Sequence, residues 1–323
     1  MPSRPADRRM MNRWTRRVLA AFLLLAVFTQ LHSFFSRKFL RVTGEAAWIW
    51  REGGLGSAEP AAFFAVRDFD LPELREPVRL EVAGDPEYTL WVNGTEVGGG
   101  REERRHHLDV YDIRSYVREG SNRIVVALRS GNGVGGFLLA LDASRTRENF
   151  VVSDGSWKIF TEWHDDLPVR DPEGLVVRKP HVIGKPPIGR WNYLEPRERE
   201  AYAPIRSILH PLSATRFSTS LPEIKRVSGV MIVASRPARA IAFDFGPTEG
   251  RGRLELPGSA PDVVLVRFAN DPSELRSEGT LVPFVPARGE PVVIDPAERR
   301  FRYIVVYDAD VEASVVAAQK TTF

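Results

Sequence analysis

The chain of 323 residues has no cysteine, and that single absence removes disulfides, a thiolate nucleophile and every zinc–thiolate site. Histidine is scarce, and its six copies stand in no metal-binding spacing. Long stretches with apolar residues three and four apart are rare, which argues against a helical body. Net positive charge is missing from most of the chain. Residues 1–41 hold nine basic residues against Asp7 alone, net +8, so a chain of net +3 leaves −5 on the rest. A mildly acidic body has no means of concentrating on phosphate backbones, and nucleic acid is excluded as a partner.

The basic excess at the start frames an apolar run. Val18 to Phe35, "VLAAFLLLAVFTQLHSFF", carries no charge and lies between Arg16–Arg17 and Arg37–Lys38. As a helix it would reach about 27 Å, near the thickness of a bilayer core. The expectation is a basic tail at 1–17 and a single-pass anchor at 18–36. The Arg-rich tail would stay cytoplasmic in an inner (plasma) membrane, with the body periplasmic or extracellular. A cleaved signal peptide is the rival, but no small-x-small site follows promptly.

What is abundant is strand. "AAFFAVRDFDL", "VRLEVAG", "YTLWVNG", "RIVVALR" and "GFLLALDA" are short, β-branched or aromatic, and separated by Pro, Gly, Asp and Asn. Asn93-Gly94 between two such runs is a hairpin turn, because both residues tolerate positive φ. It also opens an Asn-Gly-Thr glycosylation acceptor, for which the turn is the preferred reading. Residues 166–219 are crowded with prolines and charges and read as a connector. Strands then resume. The expected architecture is all-β: two jelly-roll-like β-sandwiches, at 46–165 and 220–323, behind one transmembrane helix.

Several motifs tempt and fail. Gly131, Gly133 and Gly136 have G-x-G-x-x-G spacing, but Arg129 and Ser130 precede them and a strand follows where a dinucleotide site needs a helix. "DFG" at Asp244–Gly246 lacks every companion of a kinase, and reads as a strand with Phe243 and Phe245 on one face that ends in a glycine turn. His164-Asp165-Asp166 and Arg104-Arg105-His106-His107 are the best places for titratable chemistry, yet adjacent residues on a strand face opposite ways. Their default is a solvated loop. No metal, cofactor or catalytic residue is implied. The seven tryptophans are more suggestive, since an exposed indole is a platform for a sugar ring. Trp91 and Trp157 are expected in the core, and Trp50, Trp163 and Trp191 are the candidates for exposure.

The motif string "WIW", "FDL", "DPEYTLWVNGTEVGGG", "LDVYDIRSYVREGSNRIVVAL", "GGFLLAL" and "SDGSWK" resembles the N-terminal accessory β-sandwich of bacterial α-L-rhamnosidases. That module is similar to galactose-binding-like jelly rolls. The resemblance covers about residues 46–162. A weaker one, through "AIAFDFGPTEGRGRLELPG", "VVLVRFAND" and "FRYIVV", covers about 220–310. It implies accessory modules without the helical barrel that carries those enzymes' carboxylates, so no residue inherits a catalytic role. The expected function is a non-catalytic, membrane-anchored protein contacting a glycan or polysaccharide of the envelope. Candidate binding residues are Arg101, Glu102 and His106 for hydroxyl groups, with Trp50 or Trp163 as the stacking surface. The alternatives are an assembly subunit that binds another envelope protein and, last, a small glycoside hydrolase.

Overall fold

A computed structural model describes residues 17–32, 43–53, 59–74, 77–102, 106–142, 149–191, 194–202, 206–227, 230–258, 261–276 and 279–318. The first twelve strands are β1 (Trp48–Arg51), β2 (Ala61–Leu71), β3 (Arg79–Asp85), β4 (Glu87–Val92), β5 (Thr95–Arg101), β6 (His107–Asp112), β7 (Gly120–Ser130), β8 (Gly136–Asp142), β9 (Asn149–Val152), β10 (Lys158–Phe160), β11 (Pro180–Gly184) and β12 (Glu195–Arg199). They build two sheets. One runs β11-β1-β8-β3-β6-β12 with β9 also on β8; the other runs β10-β2-β7-β4-β5. Alternation along each strand decides the core. In β2, Phe63 and Ala65 face inward with Leu80, Leu90, Val126 and Leu139, while Phe64 and Val66 face out.

The glycine-rich stretch 131–136 joins β7 to β8, and these belong to different sheets, so it is a crossover between the layers of a sandwich. Gly133 sits at φ +72, and its carbonyl accepts the Trp50 indole N–H at 3.1 Å. The hairpin β4–β5 turns at Asn93 (φ 50) and Gly94 (φ 83), as its sequence predicts.

The eight later strands are β13 (Arg206–Leu209), β14 (Ser213–Val227), β15 (Val230–Glu255), β16 (Val264–Ala269), β17 (Val282–Phe284), β18 (Val292–Ile294), β19 (Arg299–Tyr307) and β20 (Glu312–Ala318). Their spine is β15. Its first part pairs with β14 and β19, and its last residues pair with β18 and β20. One strand thus serves both layers around Ile241, Phe243, Leu254, Val306 and Val315. Gly246 does not end the strand as "DFG" suggests. It stands at φ +67 in a register shift between Asp244 and Thr248, where the strand bends.

Two expectations change. The proline-rich stretch 166–219 is not free of regular structure: it supplies β11 and β12 to the first sandwich and β13 with the start of β14 to the second. Pro180 and Pro196 lie on β11 and β12, edge strands, where a missing N–H is tolerated. The expected anchor at 18–36 is met by a helix over 17–32, with Phe22, Leu24 and Phe28 largely exposed. Among the described residues no helix is long and apolar enough to cross a membrane. Residues 33–36 and the tail 1–16 lie outside the described residues.

Candidate functional site

The strongest convergence of polar side chains lies where β3 ends, β5 ends and β6 begins. Asp85 closes β3 in register with Gly136. Its carboxylate Oδ2 accepts the Trp191 indole N–H at 2.6 Å and pairs with the Arg190 guanidinium at 2.6 Å. Arg190 in turn lies over the Trp191 ring, 5.1 Å from its centroid. Trp191 stacks on Trp48 at 4.4 Å and 16°. This packing requires glycine beneath it. A Cβ on Gly136 would stand 2.5 Å from Trp191, and one on Gly135 would stand 2.3 Å from Trp50 and 2.4 Å from the Asp85 carbonyl. Of the glycines that imitate a nucleotide-binding loop, Gly136 lets indoles close on the backbone, as Gly135 beside it does.

Glu102 and His106 complete the cluster. The Glu102 N–H donates to the Pro86 carbonyl, and its Oε1 accepts the His107 N–H at 3.2 Å. Its Oε2 is in contact with His106 Nδ1. Asp85, Glu102 and His106 each offer a polar atom within 4.8 Å of the others. Burial first, and the Asp85 charge second, push the Glu102 carboxyl up to about 8. Burial pulls the His106 imidazole below its ordinary value. At neutral pH the pair is therefore a protonated carboxyl beside a neutral imidazole. These three are the residues that would serve a metal ion, as two carboxylates and an imidazole. Arg190 already supplies a cation to Asp85, and the cluster as it stands offers hydrogen-bond donors and acceptors side by side.

The residues expected to share a sugar site are divided among four places. Glu102 and His106 meet. Arg101 points the other way along its strand: it pairs with Glu87, donates to the Pro283 carbonyl at 3.0 Å and lies 3.6 Å from Asp295, between the two sandwiches. Trp50 is fully buried and packs edge-on against Phe63 at 4.8 Å and 83°. A register shift between Trp48 and Ile49 turns it into the core, so it is no stacking platform. Trp191, expected to be exposed, is buried, and Trp91, expected in the core, is half-buried. Trp163 is half-buried on the outer face of the five-stranded sheet, 5.3 Å from Phe64. Arg104 and Arg105 lie outside the described residues. Sequence reasoning missed Asp85 and Arg190. The "RW" pair within the proline-rich stretch was the available signal for Arg190.

No protein-family model and no curated protein matches the chain. Among solved structures it is similar to an α-L-rhamnosidase from Dictyoglumus thermophilum, with 16% identity and a TM-score of 0.46 over 85% of this chain and 36% of that one. It is also similar to a family 78 rhamnosidase of Bacillus sp. GL1, with 19% identity and a TM-score of 0.45 over 85% of this chain and 33% of that one. A lectin from Pleurotus ostreatus gives 15% identity and a TM-score of 0.38 over 85% of this chain and 74% of that one. The chain spans 33–44% of the length of the rhamnosidase structures it matches.

Proposed function

We propose that the chain is a non-catalytic, membrane-anchored protein that presents carbohydrate-binding β-sandwiches outside the cytoplasm, in the handling of envelope polysaccharide. The observation that carries the binding part is the Asp85–Glu102–His106–Arg190 cluster. A pyranose hydroxyl both gives and accepts hydrogen bonds. Asp85 accepts, Arg190 donates, and protonated Glu102 does either, and the buried stack of Trp191 on Trp48 holds Asp85 and Arg190 in place. The partial burial of these groups strengthens each bond by excluding competing water. The uncharged run 18–35, flanked by arginines, supports the anchoring part.

Calorimetric titration of the full chain in detergent with methyl α-L-rhamnopyranoside and methyl β-D-galactopyranoside tests the binding. Saturable binding is expected, weakened about 10-fold or more in Glu102→Ala and Arg190→Ala, the equivalent of about 1.4 kcal/mol. Binding that these substitutions leave untouched would remove the cluster from the reading. Alkaline carbonate extraction tests the anchor separately. The protein is expected to stay with the membranes, and its release would refute anchoring.

A further inference from the structure

The outer face of the five-stranded sheet carries a second constellation. Trp91 on β4 and Trp163 are both half-buried, with ring centroids 6.3 Å apart and planes inclined at 50°. Phe64 lies fully buried beneath Trp163 and fixes the height of its ring. The Trp163 indole N–H is engaged with Asp165 Oδ1 at 2.9 Å, which holds the ring's orientation while leaving its π surface uninvolved in that bond. Its backbone N–H donates to the Arg288 carbonyl at 2.9 Å, so the indole is seated on the junction of the two sandwiches. There Arg288 reaches Glu162 Oε1 at 2.9 Å, and both side chains are open to solvent, at 81% and 40% exposure.

We infer that this junction is a second carbohydrate-contacting site, with Trp163 and Trp91 as the surface for a pyranose ring and Arg288 and Glu162 as its hydroxyl partners. Three features converge on that ligand class. Two inclined, partly exposed indoles offer π surface to the C–H face of a sugar. A solvent-facing guanidinium–carboxylate pair stands beside them with spare donors and acceptors. The location between packed modules is where ligand sites concentrate. The inference rests on the carbohydrate reading above but on different residues. Two sites on one body would suit a chain of sugars rather than a single residue, because the second contact is then intramolecular.

The seven tryptophans make the two sites separable in one experiment. The full chain in detergent, labelled with 5-fluorotryptophan and assigned by single Trp→Phe variants, is titrated with the same two methyl glycosides and followed by fluorine NMR. The Trp163 and Trp91 signals are expected to move. Arg288→Ala, a change at an exposed side chain, is expected to weaken that response several-fold while leaving any Trp191 response intact. Movement of Trp191 with Trp163 and Trp91 static overturns this inference and spares the cluster. The converse spares this site and removes the cluster. If all three stay static through the titration, both sites are refuted.

Discussion

At Glu102 a carboxyl is held where its protonated form is favoured, and the sign of the consequence follows. The unfolded chain releases this proton near 4.5, whereas the folded chain keeps it up to about 8. Between those values the native state binds more protons, so stability falls as pH rises across the window. Glu102→Gln fixes the neutral form and is expected to flatten the slope of the thermal midpoint between pH 5 and pH 8. An unchanged slope in the variant would show that the group titrates normally. Gly136 makes a second demand at this scale. Gly136→Ala forces a methyl against Trp191 and Trp48 and is expected to cost about 1–3 kcal/mol in denaturant unfolding. The same substitution at Gly258, where an added Cβ meets nothing and φ is not left-handed, serves as the comparison for steric crowding.

The hairpin β4–β5 shows what an element owes to a single side chain. Asn93 not only accepts positive φ. Its Nδ2 donates to the Tyr116 carbonyl and to Asn122 Oδ1, and its Oδ1 accepts the Arg123 N–H, each at 2.9 Å. Asn93→Ala removes all three and is expected to destabilise the fold by about 1–3 kcal/mol, with an unchanged denaturant slope if the hairpin itself survives. This turn was legible in the sequence because its signal is local: two adjacent residues that tolerate one backbone region. Trp50 was not legible, since the face it takes depends on a register shift in pairing with a strand more than a hundred residues away. For the same reason half of the site was hidden. Glu102 and His106 are neighbours in sequence, but Asp85 and Arg190 meet only because the proline-rich stretch folds back over the glycine crossover.

The two sandwiches are joined by buried charge. Arg129 pairs with Glu290, Arg251 with Glu96, and Arg101 spans Glu87 and the fully buried Asp295. Burial raises the carboxyls of Glu87 and Glu290, and the neighbouring arginines oppose that shift. Arg129→Met would leave Glu290 buried without its cation. Such a change is expected to cost about 3–5 kcal/mol and to split a single calorimetric transition into two. A single transition at the original temperature would show that the junction contributes little. The sequence pattern disclosed two sandwiches but not this seam, because ion pairs across a hundred and fifty residues leave no periodicity. The run of β15 through both layers of the second sandwich carries a different consequence. A nick at Gly250, where its pairing passes from β19 to β20, would break the one strand that runs through both walls. That half of the molecule therefore has no internal seam at which evolution, a protease or an engineer could divide it and keep either piece folded.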